Sequence, residues 1–132
     1  MAGYSGTSLE RKLGVKDGQV VYLDHPPDGF ELAAPTTTRL PKQAAITLTF
    51  HTGRRALERR IGTLIEHTEQ AGMIWICWPK KAARKLGYET DLDENVVREI
   101  GLAAGVVDVK VCAIDEVWSG LKFVRRLADR AT

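Results

Sequence analysis

Ala44-Ala45-Ile46-Thr47-Leu48-Thr49-Phe50, an apolar and β-branched run with Ile46, Leu48 and Phe50 on one side of its pleat, is the segment on which the fold turns. Immediately after it the period lengthens. Leu57, Ile61, Leu64 and Ile65 recur at the spacing of one apolar helical stripe, so a helix follows, with Thr52 as its expected cap and Ala71-Gly72 as its expected stop. Met73-Ile74-Trp75-Ile76-Cys77-Trp78 is apolar without alternation, which predicts a central strand buried on both faces and ended by Pro79. Val96, Val97, Ile100 and Ala104 mark a second helix, capped by Asp91 or Asp93 and closed by Gly105. Val107, Val109, Val111 and Ala113 then alternate with Asp108, Lys110 and Cys112, the pattern of an edge strand. The shortness of Asp115-Glu116-Val117 forces the next strand, 118–125, to return antiparallel.

Upstream the pattern is less regular. Ser8 can cap a short helix with Leu9 and Leu13 inward and Gly14 as a left-handed stop. Gln19 to Asp24 reads as a first strand, and His25-Pro26-Pro27-Asp28-Gly29 cannot continue it because two prolines remove two backbone donors. Residues 29–40, with Pro35 and Thr36-Thr37-Thr38, allow a helical turn and a stunted strand. Together these elements predict a single α/β domain over residues 1–132, with 1–14 an N-terminal helix or arm and 25–43 an irregular connection. The expected architecture is a three-layer, Rossmann-like mixed sheet with helices on its faces and a C-terminal antiparallel hairpin.

A chain of 132 residues with 44% hydrophobic content can build one core. A formal net charge of +2 within 27% charged residues creates no bulk attraction to nucleic acid or membrane. Arg54, Arg55, Arg59 and Arg60 interleave with Glu58 and Glu66, which reads as a solvated helix face. No apolar run approaches the ~20 residues of a membrane span. The N-terminus lacks the order of a signal peptide, and Gly3 does not directly follow Met1, so a cytoplasmic protein without a myristoyl group is expected. Cys77 and Cys112 have no Cys-x-x-Cys partner; both are expected as buried small hydrophobes, with Lys80 and Lys81 the one feature that would favour a thiolate at Cys77.

Open α/β sheets bind ligands beyond the carboxyl ends of their strands. There the chain offers Asp24, His25 and Asp28 from one loop, His51 from the next, and Trp78, Lys80 and Lys81 from the third. Arg84 and Lys85 complete the densest positive cluster, and the hairpin turn adds Asp115, Glu116, Trp118 and Ser119. Lysines and a helix N-terminus suit a small anionic ligand, and a tryptophan offers a stacking face. Each residue also has a plainer role: tryptophans fill cores, isolated histidines sit in loops, and acids make turns. No metal cluster, nucleophile motif or phosphate-cradling glycine loop is present and no cofactor is expected, so the expectation is a non-enzymatic binding or regulatory module. The alternative is a reduced transferase- or hydrolase-like enzyme using Asp24, His51 and Lys80 on a nucleotide-like or phosphorylated small molecule. An unidentified protein partner, or a homodimer through the C-terminal sheet edge, is compatible with the same pattern.

Leu13-Gly14-Val15-Lys16-Asp17-Gly18-Gln19-Val20-Val21-Tyr22-Leu23-Asp24 resembles the opening of a class I methyltransferase, and residues 44–126 fill the places of that superfamily's closing strands, helices and hairpin. Where the family places a glycine-rich loop against the S-adenosylmethionine carboxylate, this chain has His25-Pro26-Pro27-Asp28-Gly29. Too few residues precede Ala44 for the strand-helix units that carry the family's acidic ribose contact. A second resemblance covers nearly the whole chain. It rests on Met1-Ala2-Gly3-Tyr4-Ser5-Gly6-Thr7 with Lys12-Leu13-Gly14, Pro27-Asp28-Gly29-Phe30, Trp78-Pro79-Lys80-Lys81, Val107-Asp108-Val109-Lys110-Val111-Cys112-Ala113 and Trp118-Ser119-Gly120-Leu121-Lys122. These segments are similar to a family of small bacterial proteins known only as a domain of unknown function, which implies a single-domain cytoplasmic protein and carries over no catalytic residue.

Overall fold

The computed structural model describes residues 8–130; Met1 to Thr7, which open the second resemblance, lie outside the described residues. The stretch that decides the fold forms β3 (Ala44–Phe50), and it pairs in parallel with β1 (Val21–Asp24) on one side and β4 (Thr68–Pro79) on the other. A two-residue β2 (Thr36–Thr37) extends the sheet beyond β1. Beyond β4, β6 (Trp118–Arg125) runs antiparallel and pairs in turn with β5 (Val106–Ala113) at the edge. The order is β2-β1-β3-β4-β6-β5, a mixed sheet closed by an antiparallel hairpin as the sequence predicts.

The two faces of the sheet are covered unequally. Ile74, Ile76 and Trp78 of β4 face α2 (Arg54–Glu66) and α3 (Glu94–Ala104), meeting Leu57, Ile61, Leu64, Val97 and Ile100. Trp75 and Cys77 project the other way, onto Ile46, Leu48, Phe50 and Leu13. That second face is covered by the short α1 (Leu9–Leu13) and by Phe30 and Leu32 of the irregular connection. The Trp75 indole donates to the Leu13 carbonyl at 3.0 Å, which fixes α1 on the sheet and satisfies a buried donor. No described helix is long and apolar enough to cross a membrane.

Several boundaries differ from the sequence expectations for identifiable reasons. Gln19 closes a turn onto Lys16, so β1 begins two residues later at Val21. Helix α2 ends at Glu66 and β4 starts at Thr68, where the threonine hydroxyl donates back to the Leu64 carbonyl at 2.6 Å. Gly72 is therefore no helix stop. It lies beside a shift in register between β3 and β4, and a Cβ there would come within 3.0 Å of the Ala44 and Ala45 carbonyls. Thr52 is not the cap of α2 either. Gly53 is, without a side-chain bond, while Asp91 Oδ1 accepts from the Arg54 N–H at 2.8 Å; Asp93 caps α3 through the Val96 N–H at 2.8 Å. The two acids thus serve different helices.

Glycine at 101 lets α3 approach β6. A Cβ at that position would lie 2.1 Å from the Phe123 ring, well inside contact distance. Gly62, on the exposed side of α2, would meet nothing within 4 Å. Gly101→Ala is therefore expected to destabilise the protein by about 1–3 kcal/mol through overpacking. Gly62→Ala should stabilise it by about 1 kcal/mol through helix propensity. Chemical unfolding of the two variants beside the wild type checks both signs.

Candidate functional site

From β1 the chain passes to β2 on one side and then to β3 on the other, so the winding reverses between β1 and β3 and leaves a crevice over their carboxyl ends. Register places Asp24 opposite Thr49, and alternation puts Tyr22, Asp24, Thr49 and His51 on the face beneath α2. Asp24 is buried, with 4% exposure. Its Oδ1 accepts from the Tyr22 hydroxyl at 2.9 Å and from Arg60 Nη2 at 2.9 Å. Its Oδ2 accepts from the Thr49 hydroxyl at 2.8 Å and from Arg60 Nε at 3.2 Å, with His25 Nδ1 at 3.1 Å. Burial alone would raise the Asp24 pKa, but the hydrogen bonds from Arg60, Thr49, Tyr22 and His25 outweigh it and hold the carboxyl at about 2.

The same threonine sets the state of His51. Thr49 Oγ1 lies 2.6 Å from His51 Nε2. Because the single hydroxyl proton is given to Asp24, Nε2 must carry the hydrogen and donate to Thr49. The opposite nitrogen, Nδ1, is then the one with a free lone pair. Burial lowers the His51 pKa to about 4 against the attraction of Asp24, so the imidazole is neutral at physiological pH. Beside it stands His25, whose φ of 54° makes it the one non-glycine residue with positive φ among the described residues. The two rings lie 5.6 Å apart. An open cleft of about 520 Å³ is bounded by both histidines, Phe50, Thr52, Arg59 and Arg60.

Asp24, His25 and His51 also bring three metal-ligand atoms within 4.8 Å of one another. The surroundings favour protons over a metal ion. Arg60 bonds both oxygens of the Asp24 carboxylate, so a divalent cation there would face a guanidinium and displace bonds already made.

The third strand end holds a second cavity, of about 400 Å³, past Trp78 and Pro79. Lys80 and Lys81 line it with Arg84, Tyr88 and residues Thr90 to Asp93. The lysine segment and the hairpin turn meet here: Lys80 Nζ donates to the Asp115 carbonyl at 2.6 Å, and Pro79 and Trp78 pair with Trp118 and Ser119. Lys80 therefore does not join Asp24 and His51 in one catalytic set. Trp118 is no ligand platform; it is 6% exposed and packs edge-on against Phe50, ring centroids 5.2 Å apart. Asp115 shapes the hairpin, accepting from the Val117 and Trp118 N–H groups at 2.8 Å each. Asp28 and Glu116 are exposed and, among the described residues, make no hydrogen bond to either cavity. The cavities adjoin. His51 N–H donates to the Cys77 carbonyl at 3.0 Å, and Thr52 of the first cavity accepts from the Thr90 hydroxyl of the second at 2.7 Å.

Tyr22, Thr49 and Arg60 escaped the sequence reading. The available signal was the recurrence of polar residues, Tyr22 and Asp24, then Thr47, Thr49 and His51, at alternate positions of strands otherwise expected to be buried.

No family model and no curated protein matches the sequence, so membership in the family of unknown function is unsupported. Solved structures do match. Magnesium protoporphyrin IX methyltransferase (ChlM) from Synechocystis PCC 6803 with bound SAH aligns over 70% of this chain and 52% of its own, with 13% identity and a TM-score of 0.52. LepI in complex with SAM aligns over 89% of this chain and 39% of its own, with 12% identity and a TM-score of 0.57. These likenesses show a methyltransferase-like fold, and this chain spans about half or less of either neighbour. The expectation of a non-enzymatic module is corrected by these neighbours, which are a methyltransferase with bound SAH and LepI in complex with SAM.

The proton chain has a thermodynamic signature. His51 titrates near 4 when folded and near 6.5 when unfolded, so the unfolded chain binds more protons between those values. Stability should fall as pH drops from about 6.5 to about 4, by up to about 3 kcal/mol. Asp24, held at about 2 against an ordinary 3.8, adds a stabilisation that is whole above about pH 4 and lost below. His51→Gln, which keeps a donor for Thr49, should flatten the first decline and leave the second. Urea midpoints between pH 7 and 3 test this; identical profiles would show that His51 is not held neutral.

Proposed function

We propose that the chain is a reduced transferase- or hydrolase-like enzyme acting on a nucleotide-like or phosphorylated small molecule, with His51 as its general base. The observation that carries this reading is a neutral histidine whose Nε2–H is committed to Thr49, leaving the Nδ1 lone pair for a cleft of about 520 Å³. Nδ1 removes a proton from a water or a substrate hydroxyl, the resulting imidazolium is stabilised by Asp24 through Thr49, and the proton passes on to the leaving group. A histidine with a pKa of about 4 is a weak base in the free protein. An anionic substrate beside it favours the charged form and raises that pKa towards neutrality, which couples base strength to binding of the right charge. Arg60 cannot serve the substrate while it neutralises Asp24; Arg59, exposed on the next position of α2, borders the cleft and can meet an anion.

Adenosylmethionine, implied by the neighbours, does not fit these residues. The turn after β1 contains Pro26 and Pro27, which have no N–H to offer a carboxylate, and residues 32–57 contain no acid to meet a ribose after β2.

The test is to incubate the purified protein with a small-molecule extract and follow metabolites by mass spectrometry. The wild type should deplete a phosphorylated or nucleotide-like compound, and His51→Gln should slow that loss by about 10²-fold or more. With the compound in hand, the acid limb of kcat/KM should report the free-enzyme pKa near 4. Depletion of nothing, or equal depletion by the variant, sinks the reading.

A further inference from the structure

The cations past β4 form no ion pair among the described residues. Lys81 and Arg84 stand exposed in the 3₁₀ segment Lys81–Leu86, and among the described residues neither forms an ion pair. Lys80 spends its amine on a neutral carbonyl of Asp115, so its charge is also uncompensated. The acids that share the cavity, Asp91 and Asp93, are committed to the N-terminal N–H groups of α2 and α3, where each offsets a positive helix end. Lys80, Lys81 and Arg84 against Asp91 and Asp93 leave the cavity lining net positive.

One wall of the same cavity is aromatic. Tyr88 is 37% exposed and is braced edge-on by the buried Trp118, ring centroids 6.2 Å apart at 74°. Trp78 lies at the cavity's base. A volume of about 400 Å³ falls in the range of cavities that enclose compact organic ligands. An arginine meets phosphate with two parallel bonds and a lysine meets it as a point charge.

We infer that this cavity binds a nucleoside monophosphate or a similar aromatic phosphate, its phosphate between Lys81 and Arg84 and its base against Tyr88. The inference rests on the enzymatic reading for its substrate class and gives that class a seat in the neighbouring cavity, whose Thr90 donates to Thr52 of the first. Isothermal titration with adenosine monophosphate and with inorganic phosphate tests it directly. Adenosine monophosphate should bind at least about tenfold more tightly than phosphate, the increment expected from one stacked base. Lys81→Ala/Arg84→Ala should lose at least about tenfold in affinity and keep the wild-type thermal midpoint; Tyr88→Ala should bring the nucleotide down to the level of phosphate. If the double variant unfolds early, Arg84→Gln alone takes its place with the same expected direction. Absence of nucleotide binding, equal binding of phosphate, or undiminished binding by the charge variant overturns the inference. The readout needs no turnover. Nucleotide binding without metabolite depletion would retain this site and discard the catalytic role of His51; depletion of an uncharged compound with no nucleotide binding would do the reverse.

Discussion

At the carboxyl end of β1 a carboxylate is buried and held by five donors, and the strand ends are arranged around it. Asp24 receives bonds from its own strand, from β3, from the following turn and from a guanidinium carried on α2. A buried carboxylate stripped of its cation costs about 3–5 kcal/mol, so helix and strands cannot part independently at this end. The bond pattern also orders protons. Asp24 takes the hydroxyl hydrogen of Thr49, Thr49 takes the Nε2 hydrogen of His51, and the imidazole is left neutral with one defined lone pair. A structural ion pair and a neutral imidazole are thus two consequences of one constraint.

The remainder of the sheet supports that arrangement by ordinary packing. Register between β1 and β3 is set by buried residues on both faces, and a slip of one position would exchange Asp24 and Thr49 for Leu23 and Leu48 beneath α2. Gly101 allows α3 to lie against Phe123. Its cap, Asp93, and the neighbouring Asp91 pin the loop that closes the second cavity. The left-handed backbone at His25 is held against the extended conformation that the following Pro26 favours, with the His25 ring turned back onto Asp24.

Much of the fold was legible because it depends on local periodicity. Leu57, Ile61 and Leu64 announce α2, the unbroken apolar run to Trp78 announces the core of β4, and the short Asp115-Glu116-Val117 link dictates a hairpin. Boundaries were less legible where tertiary partners override propensity. The first residues of β4 form a strand because β3 is beside them, and Gly72 reads as a helix stop until the Ala44 and Ala45 carbonyls are found against it. The candidate site was legible in its location and only partly in its membership. Asp24, His25 and His51 do gather, whereas Trp118 turns into the core and Lys80 turns to the hairpin.

The sequence by itself determined the order of elements, the single mixed sheet and the loops that would lie at its ligand-binding end, because alternation, helical stripes and proline breaks act over a few neighbouring residues. Tertiary structure alone decided which charges are neutralised. Arg60 reads as one more solvated arginine until α2 packs on the sheet and delivers it to Asp24, thirty-six positions away. Lys81 and Arg84 read only as part of a positive cluster until the acids that share their cavity prove committed to helix ends. Electrostatic pairing depends on distance through space and on exclusion of water, and neither quantity is written in local sequence spacing.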